Sequence, residues 1–170
     1  MLFSKLFALA SLATTALASG ASIVAAMDTI SATTTDLDTT VAGWDGNIFG
    51  TVPIVIKSTQ LLIDIGNGTH TAKASDVLSI TEAIQVAVAT NELGAVVEAA
   101  LDTIVAAKSK FDKLLLSPVI LLNLHLQKKA TQDFSSAVID KVPESLQAFA
   151  ETLVQGIIDA FDAAIEKYDL

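Results

Sequence analysis

Two histidines, nineteen carboxylates and a supply of serine and threonine hydroxyls are all that this chain of 170 residues, without cysteine or arginine, offers to acid–base, nucleophilic or metal chemistry. A zinc site on one helix needs a second histidine four residues from the first, and neither His70 nor His125 has one. Without thiolates, no cysteine-based zinc site or thiol nucleophile can form. The G-x-S-x-G turn that exposes a serine nucleophile is absent. Asp36-Leu37-Asp38 lacks the glycine-bearing loop of a calcium site and reads as part of a solvated helix face. The remaining route to catalysis is a pair of acids brought together from distant helices, as in a glycosidase. The expectation is a protein that is not an enzyme and carries no metal or cofactor. Two covalent modifications fit better. Asn67-Gly68-Thr69 is an N-glycosylation sequon in a glycine-rich stretch, and Thr33, Thr34, Thr35, Thr39 and Thr40 are candidate O-glycosylation sites.

The charge balance excludes nucleic acid. Ten lysines face nineteen carboxylates, a net charge of −9, so no basic surface can neutralise a run of phosphates. Met1–Ser4, Lys5, the apolar stretch Leu6–Leu17 and Ala16-Leu17-Ala18 have the three parts of a secretory leader, predicting cleavage between Ala18 and Ser19. A membrane anchor is the rival reading, because no further charge precedes Asp28; Thr14, Thr15, Ser19, Gly20 and Ser22 dilute its apolar character. Leu114–Gln127, the longest later run without charge, is too short to span a bilayer, and the C-terminal residues lack the hydrophobic tail of a lipid-anchor signal. A secreted product follows, with no integral membrane span. Its stability must come from an apolar core rather than disulfides.

The elements read as helices throughout. Ile23, Met27, Ile30, Thr34, Leu37, Val41 and Trp44 recur at spacings of four and three, a helix face interrupted only by Thr34 and ended by the turn Gly43–Asn47. Phe49, Val52, Ile56, Thr59 and Ile63 predict a second helix with Pro53 in its first turn, although Thr51–Lys57 also alternates like a strand. Gly66-Asn67-Gly68-Thr69 should close it, which leaves His70 in a loop. Ser75-Asp76 should cap a third helix bearing Val77, Ile80, Ile84 and Ala87, with a break or kink at Asn91-Glu92. Leu93, Val97, Ala100, Ile104, Ala107, Phe111 and Leu114 then form the most regular stripe, with Lys108, Lys110 and Lys113 complementing the helix dipole.

Ser117-Pro118 should open a fifth helix carrying Val119, Leu122, Leu126, Ala130, Phe134 and Ala137. Pro143-Glu144 should open the last. That helix bears two stripes: Leu146, Phe149, Leu153, Ile157, Ala160 and Ala164, then Val154, Ile158, Phe161 and Ile165. A helix apolar over so much of its circumference is expected inside the bundle. The fold class is all-α: an antiparallel bundle of five or six helices over residues 19–170, one domain behind a leader at residues 1–18.

Three stretches carry a resemblance: Leu93…Val97…Leu101…Ile104…Lys108…Phe111; Leu122…Leu126…Lys128-Lys129…Phe134…Ala137-Val138…Lys141-Val142-Pro143; and the Ala/Ile helix ending at Tyr168. Together with the turns at Gly43–Asn47 and Gly66–Thr69, this pattern is similar to the hydrophobic surface-binding protein A family, secreted fungal proteins related to cell-wall galactomannoproteins. The resemblance implies an extracellular, wall-associated helical glycoprotein that adsorbs to hydrophobic surfaces and recruits polyester-degrading enzymes there. In the galactomannoprotein branch it implies fatty acids held within the bundle. The Ser/Thr-rich C-terminal extension and anchor signal of wall-attached relatives are not in this sequence.

The residues supply a mechanism. Alanines at Ala87, Ala100, Ala107, Ala130, Ala137, Ala160 and Ala164 either let helices pack closely or leave an elongated void between them. A void would take an acyl chain at roughly 0.8 kcal/mol per buried methylene. Helices that part at an oil or wax surface would lay their apolar faces on it. The lining is expected from the Leu114–Leu126 run and the last helix, with Val97, Leu101, Ile104, Leu122, Leu126, Phe134, Phe149, Leu153, Ile157 and Phe161 as contacts. The alternative is a structural wall mannoprotein or surface antigen with a filled core.

Overall fold

Six helices are ordered along the chain in the computed structural model, which describes residues 19–169: α1 (Ser19–Ala42), α2 (Thr51–Ala74), α3 (Ile80–Ala106), the short α4 (Lys108–Lys113), α5 (Ser117–Ile139) and α6 (Glu144–Tyr168). The expected leader, with Ala18 of its junction, lies outside the described residues; Ser19 opens α1. In α1 the stripe from Ile23 to Val41 is buried throughout, and Thr34 is tolerated because its hydroxyl donates to the Ile30 carbonyl. Trp44 is buried just past the helix, where its ring packs on Phe111 with centroids 4.5 Å apart. Gly46 makes the intervening turn with φ +91°, a conformation that side-chain-bearing residues rarely adopt.

α2 departs from the sequence reading in two ways. It runs uninterrupted through Gly66–Thr69, so the sequon and His70 lie on a helix rather than in a loop. Gly68 serves packing instead of a turn: a Cβ there would come within 3.1 Å of Phe134 and 3.2 Å of Ile30. The second departure is the face. Ile54, Ser58, Leu61, Ile65, Gly68 and Ala72 point inward, whereas Val52, Ile56 and Ile63 are exposed on the opposite side.

α3 starts later than expected. Ser79, not Ser75-Asp76, is its N-cap, forming a capping box with Glu82. The Glu82 carboxylate accepts from the Ser79 hydroxyl and amide and, through its other oxygen, from the Gly20 amide, joining the starts of α1 and α3. These bonds hold its carboxyl below the usual range. Val77, Ile80 and Ile84 are exposed; Ala83, Val86 and Ala89 make the buried face. No break occurs at Asn91-Glu92. α3 is long and apolar enough by composition to cross a membrane. Here it packs beside α1 and α6.

α5 repeats the inversion. Leu116 rather than Ser117 occupies the cap position, and Ser117 instead donates to Asp112. Leu124, Gln127, Phe134, Ser135, Ala137 and Val138 are buried, while Val119, Leu122 and Leu126 face solvent. Pro143 stands at the cap position of α6.

The five long helices close a ring: α1 touches α2 and α3, α2 touches α5, α5 touches α6, and α6 returns to α3. Successive long helices reverse direction, as shown by Asp36 beside Lys57 and Lys128 beside Asp162. Ring neighbours that are not successive run parallel: Gly20 meets Glu82 and Met27 meets Thr90 at nearly constant offset, and Gly94 and Ile104 meet Ile157 and Tyr168. Among the described residues, no long helix occupies the centre. α6, expected inside, is a wall of the ring, and its two stripes serve its neighbours and the ring's interior. One end is plugged by Trp44, Phe111 and Tyr168. The Tyr168 hydroxyl donates to the Ile104 carbonyl at 2.6 Å, and burial pushes this phenol's pKa well up.

Candidate functional site

A ring of helices around nothing leaves an axial space. It is a cavity of about 520 Å³, walled almost wholly by aliphatic and aromatic side chains from all five long helices. That is within the roughly 300–1,000 Å³ typical of small-molecule sites. Its lining on α6 runs from Leu146 to Phe161, about 22 Å at 1.5 Å per residue. The shape is therefore long and narrow, suited to an extended hydrocarbon chain.

The mouth lies at the α3–α6 seam. Every exposed lining residue belongs to those two helices: Ile84, Val88, Asn91 and Glu92 on α3, and Phe149, 58% exposed, on α6. The closed end lies at the level of Thr34, Leu37, Leu101, Gln127 and Phe161. Glu92 is the only charged side chain in the lining among the described residues. The interior polar groups are neutral. Thr34 donates to the Ile30 carbonyl at 2.7 Å, and Gln127 is held by a network to α2 in which its amide nitrogen donates to Ser58 and Asn123.

Of the ten apolar contacts expected from sequence, the structure brings eight to this cavity: Val97, Leu101, Ile104, Phe134, Phe149, Leu153, Ile157 and Phe161. Leu122 and Leu126 are not among them. They sit on the outside of α5, 60% and 49% exposed, and none of the Leu114–Leu126 run reaches the lining. Among the walls missed in the sequence are Met27, Ile30, Thr34 and Leu37 of α1, Leu61 and Ile65 of α2, and Gln127. Ring closure brings them to the cavity, and no local pattern announces it.

The outer surface carries a second feature. Ile48, Phe49, Val52, Val55, Ile56 and Ile63 along α2 are exposed, as are Leu115, Val119, Leu122 and Leu126 along α5. These two helices are parallel ring neighbours, with Ser58 beside Asn123 and Gly68 beside Phe134. The two stripes thus lie on one side of the molecule. Phe49 and Leu115 are each 85% exposed.

Among the described residues, no group of three or more histidine and carboxylate side chains gathers to hold a metal. The carboxylates with displaced pKa values are all at the surface. Asp45 is lowered by its bonds from Asn47, and Asp112 by the Ser117 hydroxyl and then Lys108. Neither lines the cavity.

The fold is thus an all-helical ring around an apolar, end-closed cavity. Residues 20–140 match hydrophobic surface binding protein A, and the chain belongs to that family. It is 33% identical over 174 residues to cell wall mannoprotein 1 of Aspergillus flavus and 30% identical over 147 residues to cell wall mannoprotein 1 of Aspergillus fumigatus. Those matches cover 99% and 85% of this chain but only 63% and 50% of the relatives, so the chain spans about half to two-thirds of their length. In structure it is similar to AfMp4p, solved in complex with palmitic acid, at TM-score 0.85 and 26% identity over 88% of this chain and 99% of that one. Ligand binding domain 1 of the Penicillium marneffei MP1 protein, solved with arachidonic acids, shares the fold at TM-score 0.84 and 17% identity, covering 89% of this chain and 99% of that domain.

Proposed function

We propose that this protein is a non-enzymatic carrier that holds a single-chain lipid in its axial cavity and rests on hydrophobic surfaces through the outer face of α2 and α5. The observation that carries the reading is the cavity itself: long, apolar, closed at one end and open between α3 and α6. A structural relative holds palmitic acid, a molecule of the shape this space would admit. The exposed stripes of α2 and α5 supply the second part, since two neighbouring helices that each expose an apolar stripe favour an oily interface over water.

The relatives' names support an extracellular, wall-associated setting, in keeping with the leader read in residues 1–18. Recruitment of a secreted polyester-degrading enzyme belongs to the same reading, with the adsorbed protein as platform. Asn67 is exposed on α2, so a glycan there would meet solvent without repacking the bundle. Residues 19–170 act as one domain in this reading.

Native mass spectrometry of protein produced by its own host tests the proposal. A population heavier than the polypeptide by one acyl-sized ligand is expected, shifting to bare mass on organic extraction. Any sugar on Asn67 should leave with that residue's peptide. Protein that carries only its own mass, takes up no added lipid and leaves a polyester film uncoated would refute it.

A further inference from the structure

Resting on the reading of the cavity as a lipid site, we propose that the rim of its mouth docks on a choline-headed, zwitterionic bilayer, so that the bound chain passes by contact between protein and membrane. Ile80, Ile84 and Val88 stand at i, i+4 and i+8 on α3 and are 62%, 56% and 55% exposed. The register that sets Gly94 of α3 against Ile157 of α6 places Phe149 level with Val86, across the seam from this stripe. Phe149 is exposed as well, and so is Val77 just before α3 begins. Ile84, Val88 and Phe149 also line the cavity, so the same side chains face its interior and the outside. A chain sliding out between them keeps apolar contact up to the rim. Beyond the rim, water would strip each methylene of its burial, whereas a bilayer continues the apolar path. α3 itself is apolar enough by composition to cross a membrane, yet less than half of that stretch is buried within the bundle.

Charge around the mouth decides which surface fits. α3 has no lysine, and α6 has one, Lys167, at its far end. Glu92 stands at i+4 from Val88 in the mouth, and Glu98 and Asp102 are exposed further along α3. Lys141, whose carbonyl accepts from the Leu78 amide, turns its ammonium to the Lys73 carbonyl at the end of α2. An anionic leaflet would repel this face. In a phosphatidylcholine surface the outermost charge is the trimethylammonium, which these carboxylates attract while the rim side chains reach below it. A second copy docked mouth to mouth would instead set the same carboxylates against each other. The apolar stripes of α2 and α5 lie on the other side of the ring and take no part.

The test follows dansyl-undecanoate leaving loaded protein for vesicles of phosphatidylcholine that carry a nitroxide-labelled phosphatidylcholine as quencher. Transfer by contact gives a rate proportional to vesicle concentration; transfer through water is set by dissociation and does not depend on it. The proportional rate is expected. Replacing half of the lipid by phosphatidylglycerol should slow transfer roughly tenfold at low salt, and high salt should restore most of the rate. Val77→Ser combined with Ile80→Ser alters two exposed positions outside the lining. It should slow transfer to phosphatidylcholine roughly tenfold and leave the dissociation constant for dansyl-undecanoate unchanged, which also shows that the variant is folded. The wild-type dependence on vesicle concentration stands without the variant. A rate independent of vesicle concentration would overturn the docking inference and leave the cavity reading intact. Equal or faster transfer to the anionic vesicles would do the same, as would an undiminished rate in the double variant or a sedimenting dimer that the double variant dissociates. Protein that binds no dansyl-undecanoate at all would overturn the cavity reading, and the inference with it.

Discussion

Ala150→Phe separates a hollow bundle from a filled one by the sign of its effect. Ala150 is half-buried on the inner side of α6, in the cavity lining between Leu146 and Leu153. In a well-packed core an added ring forces neighbours off their rotamers and costs about 1–3 kcal/mol. In a cavity of about 520 Å³ it enters free space, and a buried aromatic side chain contributes roughly 1.5–3 kcal/mol. After loss of side-chain freedom, the delipidated variant should be about 1 kcal/mol more stable than the parent in urea. The ligand sees the opposite. A benzyl group takes the room of some four methylenes, and at about 0.8 kcal/mol each their loss weakens binding by about 3 kcal/mol, on the order of a hundredfold. Urea melts of stripped protein and Nile red displacement by 1-dodecanol give the two quantities. Ala163→Phe, on the exposed side of the same helix, should move neither by more than about 0.5 kcal/mol. A destabilised Ala150→Phe with undiminished affinity would refute the cavity argument.

Other substitutions probe the frame. Gly66→Ala should raise stability by about 0.5–1 kcal/mol because Gly66 is helical with nothing within 4 Å of a new Cβ; loss of stability would mean that the chain turns there. Gly68→Val should lower the urea midpoint by the equivalent of about 2 kcal/mol or more, since its side chain collides with Phe134 and Ile30. Tyr168→Phe removes the buried bond to the Ile104 carbonyl and should cost about 1–2 kcal/mol in the same assay. Glu82, Asp112 and Asp45 have carboxyl pKa values lowered in the folded state, so their contributions are present above the unfolded carboxylate range and are lost as pH falls through the folded values. Urea midpoints should therefore fall on acidification below about pH 5, and Glu82→Gln should flatten that fall.

The parts of the fold that could be read from the sequence are those with a single apolar face. α1 has threonine and aspartate opposite its stripe, so spacing alone identifies what is buried from Ile23 to Val41. The regular run from Leu93 to Phe111 and the stripes of α6 behave in the same way, and most of the cavity residues found from sequence lie on them. α2 and the first half of α5 are apolar on two faces, and hydrophobicity cannot choose between them. Their inward faces include Ser58, Gly68 and Gln127, while Val52, Ile56, Leu122 and Leu126 point out, so the better-looking stripe is the wrong one. Gly66 and Gly68 carry turn chemistry locally. Only the close approach of Phe134 and Ile30, far away in sequence, shows that Gly68 is there to be small. The α1 and α2 walls of the cavity are hidden for a related reason: whether an inward face meets another helix or empty space is decided by closure of the ring.

That closure has an energetic consequence. At about 24 cal/mol per Å³, a dry void of 520 Å³ would cost about 12 kcal/mol, comparable to the roughly 5–15 kcal/mol by which whole domains are stable. With no cysteine in the chain, no disulfide can offset such a loss. The open seam between α3 and α6 lets water relieve part of it, yet water gains little from walls as apolar as these. A hydrocarbon chain burying about a dozen methylenes returns roughly 10 kcal/mol, nearly the whole deficit. In the proposed function a ligand would take the place that a central helix would fill, and binding and folding stability would become one quantity. Bound lipid at a thousand times its dissociation constant adds about 4 kcal/mol to the unfolding free energy, so stripping it should lower the melting temperature by many degrees. The exposed stripes of α2 and α5 sit on the wall opposite the α3–α6 seam, so a molecule resting by that face on an oily surface would keep its mouth toward solvent. In the proposed function, storage and adhesion would use different walls of one ring.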